Sequence, residues 1–371
     1  MVTHFSVVNI KDRVCLRYVL PLSIVLALSV NGAVLPLQFK TTVQPLPGEN
    51  LKGPCSFELW IPGSVKHVRA VWITYDRGYD ISRYYSDTEV RSFARKQAIA
   101  LMLAHQCPAK LPPTGEQGEM DMDMSRGVAR SILAALNDFS RQSDHPEISG
   151  AKLIVMGFSG IGAMFAHFVR YTPDRVVAAI LANPGQTEPY GMKDMTLDAP
   201  AFAVPQFIIT GGIDDRGGTQ RPWDYFSRHW SRGAPWVFLV QNGLPHCCVI
   251  NAKALVLEWL DDIIKLRRPA SNIPLRTINV TKGWNAFIRP CENGQRDSWG
   301  ASDWNVCDAS IQPTGMPAPT GQIAGGWFPT HKLASDWLVF IREQKHPADS
   351  FPDGKDASHS QFAIPGLGSR R

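Results

Sequence analysis

Short apolar runs recur through the middle of the chain and alternate with segments of helical spacing. The continuous runs span 57–62, 68–74, 98–104, 152–158, 175–182, 205–211 and 235–241. Runs of this length that are apolar at odd and even positions alike predict strands buried on both faces of a sheet. The segments 88–97, 124–140, 161–171 and 252–266 instead place apolar residues three and four positions apart, which predicts amphipathic helices. We therefore predict an α/β domain with a mostly parallel sheet and helices on both faces.

The pattern changes after position 268. Residues 269–326 are rich in Pro, Gly, Asn and Trp and show little periodicity, whereas 331–343 has the spacing of one closing helix. We predict a domain over 33–268, an irregular Trp/Pro/Gly-rich extension over 269–343 packed on it, and a disordered polar tail over 344–371. Because tryptophan is mostly buried, the tryptophans of 284–337 are expected to pack the extension onto the domain rather than form an exposed platform for sugars or polymers.

The N-terminal segment has the pattern of a secretory signal peptide. Lys11, Arg13 and Arg17 precede an apolar run of 13 residues, "YVLPLSIVLALSV", and small residues follow it. This order predicts a signal over 1–32, cleaved after Gly32, and a secreted or periplasmic protein without stable membrane association. The alternative is an uncleaved membrane anchor over 18–37, since the apolar character resumes beyond the run.

Composition and cysteine content agree with an exported globular protein. The 371 residues carry a net charge of +5, and the basic residues are scattered, so nothing indicates a surface for nucleic acid. Six cysteines follow the predicted signal: Cys55, Cys107, Cys247, Cys248, Cys291 and Cys307. An even number in an exported chain predicts disulfides, and Cys291 with Cys307, which flank a loop, is the favoured pair. No cysteine or histidine spacing indicates a metal, and the acids of 119–124 are better explained as charges near a helix start.

The residues with catalytic potential follow three of the predicted strands. Ser159, in "VMGFSGIGAM", lies between the strand 152–158 and the helix 161–171, although Ile161 departs from the usual G-x-S-x-G pattern. Asp214 and Asp215 follow the strand 205–211, and His246 follows 235–241. The carboxyl ends of parallel strands meet at one edge, so we expect a serine, an acid and a histidine to lie together there.

In these residues the chain resembles the α/β-hydrolase superfamily. The residues "GFSG", "GGID" and "PHC", within about 57–266, are most similar to the secreted esterase branch with polyhydroxyalkanoate-depolymerase-like and feruloyl-esterase-like proteins. The resemblance implies an α/β-hydrolase fold, Ser159 as nucleophile, and His246 as general base and then general acid. The family spacing G-x-x-D favours Asp214 over Asp215 as the acid. It implies cleavage of a small or polymeric carboxylic ester through an acyl-enzyme, without a cofactor or metal.

The donors of an oxyanion hole are expected near Ser159 and in one neighbouring loop. An oxyanion hole needs two N–H donors: we expect the first at Gly160 and the second at Asp76 or Arg77, in the loop after 68–74. That loop reads "YDRGYD" where the family commonly has His-Gly.

The departures in this loop and at Ile161 leave open an alternative function, a non-catalytic binding protein of the same fold. An amidase or peptidase using the same three residues is the other alternative.

Overall fold

The computed structural model describes residues 35–76, 79–105, 107, 123–185, 195–246, 250–296 and 302–344. The predicted signal over 1–32 lies outside these residues, and so does the predicted tail beyond position 344. Both therefore stay predictions.

The described strands form a single mixed sheet. They are β1 (Leu37–Val43), β2 (Cys55–Ile61), β3 (Ala70–Tyr75), β4 (Ile99–Ala104), β5 (Lys152–Phe158), β6 (Val176–Ala182), β7 (Gln206–Gly211), β8 (Val237–Gln241), β9 (Trp284–Arg296), β10 (Ser302–Pro313) and β11 (Ile323–Phe328). Their order across the sheet is β1-β2-β4-β3-β5-β6-β7-β8-β11-β9-β10. The strands from β4 to β8 pair in parallel, and the remaining pairs on both sides are antiparallel.

Helices connect and cover the parallel strands. They are α1 (Tyr79–Arg83), α2 (Thr88–Gln97), α3 (Val128–Gln142), α4 (Gly160–Tyr171), α5 (Gln220–Trp230), α6 (Lys253–Arg267) and α7 (His331–Glu343). Right-handed crossovers decide which face each one covers. The connection through α2 crosses from β3 to β4, toward the β1 side of the sheet. The connections through α3, α4 and α5 cross toward β8 instead, so these helices cover the opposite face from α2. Contacts of α6 with α2 and α7 place these helices together. The predicted mostly parallel sheet with helices on both faces is confirmed.

Burial on both faces explains the continuous apolar runs. Every residue of β3, β5 and β6 is buried, and Ile73 pairs with Val155 in the centre of the sheet. A strand covered by helices on both sides has no solvent face to leave polar. Among the described residues, no helix is long and apolar enough to cross a membrane.

The segment expected to be irregular contributes three antiparallel strands to the sheet. Only β11 borders the parallel strands, through its pairing with β8, and β9 and β10 follow it outward. The sequence shows no clear strand period here because β10 mixes buried and exposed positions and its register shifts between Val306 and Asp308. Trp304, Trp327 and Trp337 are buried, as packing of this segment onto the domain requires. Trp299 lies outside the described residues.

Two disulfides lie within the part of the chain that the structure describes. The predicted pair Cys291–Cys307 is confirmed and joins β9 to β10. A second bond joins Cys55 at the start of β2 to Cys107 just after β4. Sequence reasoning did not select that pair because 52 positions separate the two cysteines and only the pairing of β2 with β4 brings them together. Residues 247–249 lie outside the described residues, so nothing is added about the cysteines at 247 and 248.

Candidate active site

A crevice is expected where the direction of the connections reverses. The chain leaves β3 toward β4 on one side and leaves β5 toward β6 on the other. In open α/β sheets, ligands bind beyond the carboxyl ends of the strands at such a switch point. Ser159 directly follows β5 and therefore stands at this position.

The backbone at Ser159 makes a sharp turn between β5 and α4. Its φ is 54° and its ψ is −129°, a conformation that residues other than glycine rarely adopt. The strain is held because the Ser159 N–H donates to the Ala182 carbonyl at 2.9 Å and the Ser159 carbonyl accepts from Ala163 at 3.1 Å. The first bond belongs to the sheet and the second to the helix, so both elements enforce the turn. This is the geometry that lifts a serine hydroxyl above the edge of a sheet.

The departure at Ile161 is accommodated by the glycines around it. A Cβ at Gly157 would lie 2.6 Å from the carbonyl carbon and oxygen of Ile161, so the helix backbone packs directly on this glycine. A Cβ at Gly162 would come within 3.2 Å of Gly157 O and of Pro184 Cβ. The close approaches thus fall on glycines, while the Ile161 side chain is fully buried in the core.

A hydrogen-bonded chain connects the serine, the histidine and the aspartate. The Ser159 Oγ lies 2.9 Å from His246 Nε2. The other ring nitrogen, Nδ1, lies 2.9 Å from Asp214 Oδ2 and 2.8 Å from Oδ1. Because a carboxylate can only accept, Nδ1 carries the proton of a neutral ring and Nε2 is left to accept from the serine hydroxyl. The His246 side chain is 10% exposed, so the site is reachable from solvent.

Asp214 is buried and held as a carboxylate. Burial raises the pKa of Asp214, but the hydrogen bond and charge of His246 and the donors Asn183 and Gly217 outweigh it, leaving the pKa below its ordinary value. Asn183 Nδ2 donates at 2.9 Å, and the backbone N–H of Gly217 donates at 2.7 Å. Asp215, the alternative acid, is exposed to solvent. The structure therefore brings Asp214 rather than Asp215 to the histidine.

Three residues beside the hydrogen-bonded serine, histidine and aspartate were not predicted from the sequence. Asn183 follows β6 at the same sheet edge, and its place after an apolar run was the signal that would have found it. Gly217 is packed so closely that a Cβ would lie 2.9 Å from Asp214 Oδ2 and 3.2 Å from His246 Nδ1. The Phe158 ring lies 5.2 Å from the His246 ring, centroid to centroid, and shields it. No local sequence pattern marks the contacts of Gly217 and Phe158.

The expected oxyanion donors have different outcomes. Gly160 is the first residue of α4, where a helix leaves its N–H groups without partners in the helix, and it directly follows Ser159. Asp76 needs a correction: its N–H donates to the Ala104 carbonyl at 2.8 Å and is thus used by the sheet. Arg77 lies outside the described residues and stays a prediction. Within those residues, no group of three or more His, Cys, Asp or Glu side chains has an arrangement that holds a metal.

The order of the strands, with the places of the three side chains on it, decides the fold. The sheet runs β1-β2-β4-β3-β5-β6-β7-β8 with β2 antiparallel, and Ser159, Asp214 and His246 follow β5, β7 and β8. The chain has the α/β-hydrolase fold. No family model and no curated protein matches it.

Comparison with solved structures finds proteins of this fold at low identity. A ferulic acid esterase shares 13% identity over 62% of this chain and 98% of its own, with a TM-score of 0.45. An esterase from Pyrobaculum calidifontis shares 15% over 63% of this chain and 86% of its own, with a TM-score of 0.40. A putative dipeptidyl aminopeptidase IV from Bacteroides ovatus shares 11% over 63% of this chain, with a TM-score of 0.41, and the match spans only 36% of its length. At such identities, a function has to be argued from this chain's own residues.

Proposed function

We propose that this chain is an exported serine hydrolase that cleaves carboxylic esters through an acyl-enzyme. One observation carries the proposal: Ser159 Oγ lies 2.9 Å from His246 Nε2, and the opposite nitrogen of that ring meets the buried Asp214 carboxylate at 2.9 Å. A serine hydroxyl is a weak nucleophile unless a base takes its proton, and the base needs a partner that orients it. All three groups lie at the carboxyl edge of the sheet, on different strand ends.

In the first half of the reaction, Ser159 Oγ attacks the ester carbonyl carbon. His246 Nε2 takes the hydroxyl proton, and the Asp214 carboxylate stabilises the imidazolium that forms. The carbonyl oxygen becomes an oxyanion, and the Gly160 N–H at the start of α4 is the donor nearest the nucleophile in sequence. The tetrahedral intermediate collapses, His246 returns the proton to the leaving alkoxide, and the alcohol departs.

In the second half, water replaces the alcohol. His246 Nε2 removes a proton from the water, whose oxygen attacks the acyl carbon, and the same donors stabilise the second oxyanion. Collapse expels Ser159 Oγ, which takes the proton back from the imidazolium. The products are the carboxylic acid and a regenerated serine, so the cycle needs no cofactor.

Export is the second part of the proposal. It is supported by the signal pattern over 1–32 and by the two disulfides, since such bonds form and persist in oxidising compartments. N-terminal sequencing of the protein from the culture medium or periplasm tests it. A mature chain that begins near position 33 supports export, and one that keeps Met1 contradicts cleavage.

An active-site probe tests the catalytic part. Purified wild type should react with a fluorophosphonate probe, Ser159→Ala should not, and Ser227→Ala, which changes a partly exposed serine on α5, should label like wild type. Circular dichroism checks that all three are folded. Folded wild type that does not label would favour the alternative, a non-catalytic binding protein.

The choice between ester and amide needs paired substrates. Matched p-nitrophenyl esters and p-nitroanilides of the same acyl group differ only in the leaving atom, so their kcat/KM ratio isolates this preference. We expect hydrolysis of the esters and little or none of the anilides. Comparable rates on both would favour the amidase or peptidase alternative.

A further inference from the structure

The strand β10 contacts both loops that carry the acid and the histidine. We name residues 211–219, from the last residue of β7 onward, the acid loop. Residues 241–246, from the last residue of β8 onward, are the histidine loop, and residues 303–306 of β10 are the latch. The latch belongs to the C-terminal segment, far in sequence from both loops. It is not part of the hydrogen-bonded chain of Ser159, His246 and Asp214.

The latch holds the histidine loop through side-chain amides. Asn305 Oδ1 accepts the Gly243 N–H at 2.8 Å. Asn242 Nδ2 donates to the Val306 carbonyl at 2.9 Å, and Asn242 Oδ1 accepts the Val306 N–H at 2.8 Å. Two amide contacts therefore fix the first half of a loop that ends at His246.

The latch also holds the acid loop. The Thr219 N–H donates to Asp303 Oδ1 at 3.2 Å, and the Trp304 N–H donates to Thr219 Oγ1 at 3.3 Å. The Asn305 amide lies so close to Gly212 that a Cβ on this glycine would be 1.8 Å from Asn305 Oδ1. One amide oxygen thus touches both loops, at Gly212 in one and at Gly243 in the other.

The two loops are joined to each other at the same place. The Gly212 N–H donates to the Gln241 carbonyl at 2.9 Å, and the Ile213 N–H donates to the Leu244 carbonyl at 3.0 Å. The Asn305 oxygen therefore packs against a junction that lies two residues before Asp214 and three residues before His246. A change in volume or hydrogen bonding at this point changes the separation of the two loops.

We propose that Asn305 is a positioning residue that sets the geometry between Asp214 and His246. Asn305 acts through Gly212 and Gly243. The proposal rests on the proposed function, because its primary readout is ester hydrolysis. The position of Asn305 is fixed from the other side of β10, since Asn305 pairs with Cys291 of β9 and the Cys291–Cys307 disulfide lies beside it. A C-terminal segment that only extends the sheet would not need contacts to both loops.

Kinetics of Asn305→Ala, measured on a p-nitrophenyl ester, tests the proposal. The variant leaves the Gly243 N–H without its acceptor and opens space beside Gly212, and a misplacement on the order of 1 Å costs up to about 100-fold in rate. We expect kcat to fall by about 10- to 100-fold with KM within about threefold. Ser310→Ala, on the same strand but with its hydroxyl donated to Gln322 in the adjoining turn, is the matched control and should keep wild-type values.

The pH profile separates positioning from a loss of folded protein. A looser contact with Asp214 stabilises the imidazolium less, so the acidic limb of kcat/KM should move to lower pH in Asn305→Ala. A smaller folded fraction would lower every point of the profile equally. Wild-type kcat, or a lower kcat with an unmoved limb, would overturn the proposal.

A double mutant gives a second test that survives poor folding of the single variant. Gly212→Ala should lower kcat because its methyl group meets the Asn305 oxygen, and Gly212→Ala combined with Asn305→Ala should be less impaired than the product of the two single effects. Additive effects would contradict a shared contact. The φ angle of Gly212 is not in the left-handed region, so alanine is allowed there by the backbone.

Proton NMR tests the proposal without any activity. The proton on His246 Nδ1, shared with Asp214, should give a downfield resonance in wild type and in Ser310→Ala that broadens or is lost in Asn305→Ala. Folded wild type without esterase activity but with this difference would refute the proposed function and keep the positioning role. An unchanged resonance in Asn305→Ala would refute the positioning role.

Discussion

His229 is a fully buried histidine whose neutral ring is built into the domain. On α5, its Nε2 accepts the Leu197 N–H at 2.7 Å, and its Nδ1 proton is donated to the Tyr225 carbonyl at 2.7 Å. The ring lies 4.9 Å from the Tyr225 ring and 4.7 Å from the Trp236 ring, between centroids. A proton added at Nε2 would remove the acceptor of the Leu197 N–H and place a charge among aromatic rings.

The cost of that charge follows from the shift in pKa. The pKa of His229 is lowered from 6.5 to about 4: burial is the largest cause, the hydrogen bond to Tyr225 opposes it, and the charges of Arg228 and Arg232 add to the lowering. A group whose folded pKa is depressed binds its proton more readily in the unfolded chain, so its contribution to stability is complete above 6.5 and is lost as the pH falls toward about 4. Linkage gives a loss of about 2 kcal/mol at about pH 5 and about 3 kcal/mol at about pH 4.

Urea unfolding measures this loss. The free energy of unfolding of wild type and of His229→Gln should be determined at about pH 7.5 and about pH 5. Glutamine keeps an acceptor for the Leu197 N–H but does not titrate, so the difference between the two proteins cancels the contributions of the carboxylates. We expect wild type to lose about 2 kcal/mol more than His229→Gln over this range. His331→Gln, at an exposed position at the start of α7, is the matched control and should retain the wild-type loss.

Two results would refute the reasoning. If wild type and His229→Gln lose the same free energy between the two pH values, His229 is not held neutral by its surroundings. If His331→Gln instead reduces the loss of unfolding free energy between the two pH values, the histidine that titrates is this exposed one and not His229.

Three substitutions at the candidate site have separate expectations. Gly157→Ala places a methyl group 2.6 Å from the Ile161 carbonyl, so α4 must move. Urea unfolding should show a free energy of unfolding lower by about 1–3 kcal/mol, and a smaller decrease would contradict the close packing. Gly217→Ala puts a Cβ 2.9 Å from Asp214 Oδ2 and 3.2 Å from His246 Nδ1. Its kcat on esters should fall by about 100-fold with an unchanged circular dichroism spectrum, and full activity would refute the contact. Asp214→Asn keeps the shape but removes the charge, and should lower kcat by about four orders of magnitude. Because the pKa of Asp214 is depressed, its stabilisation is present at neutral pH and lost as the pH falls through the folded value, so this variant should unfold with less dependence on acid pH than wild type.

Local signals were sufficient for the parallel half of the sheet. The strands β3 to β8 are almost entirely buried on both faces, and the helices α2, α3, α4 and α6 bury one face, so each leaves its period in the sequence. The position of Ser159 between a strand and a helix, and the later strand ends before Asp214 and His246, followed from those periods. The favoured disulfide also followed, because its cysteines are only 16 positions apart.

The tertiary structure alone decided which residues meet across long separations. The strands β9 to β11 have mixed burial and irregular register, so they join the sheet without a period that a sequence could display. The bond from Asp76 N to Ala104 O, which removes one expected oxyanion donor, exists because two distant strands pair. Asn305 contacts Gly212 and Gly243 without any local motif, since a contact between distant strands depends on the order of strands in the sheet and not on neighbouring letters. The sequence therefore predicts the parallel strands, their helices and the candidate serine, aspartate and histidine, because each leaves a local pattern, whereas what holds those side chains in place depends on how distant strands pair in the folded sheet.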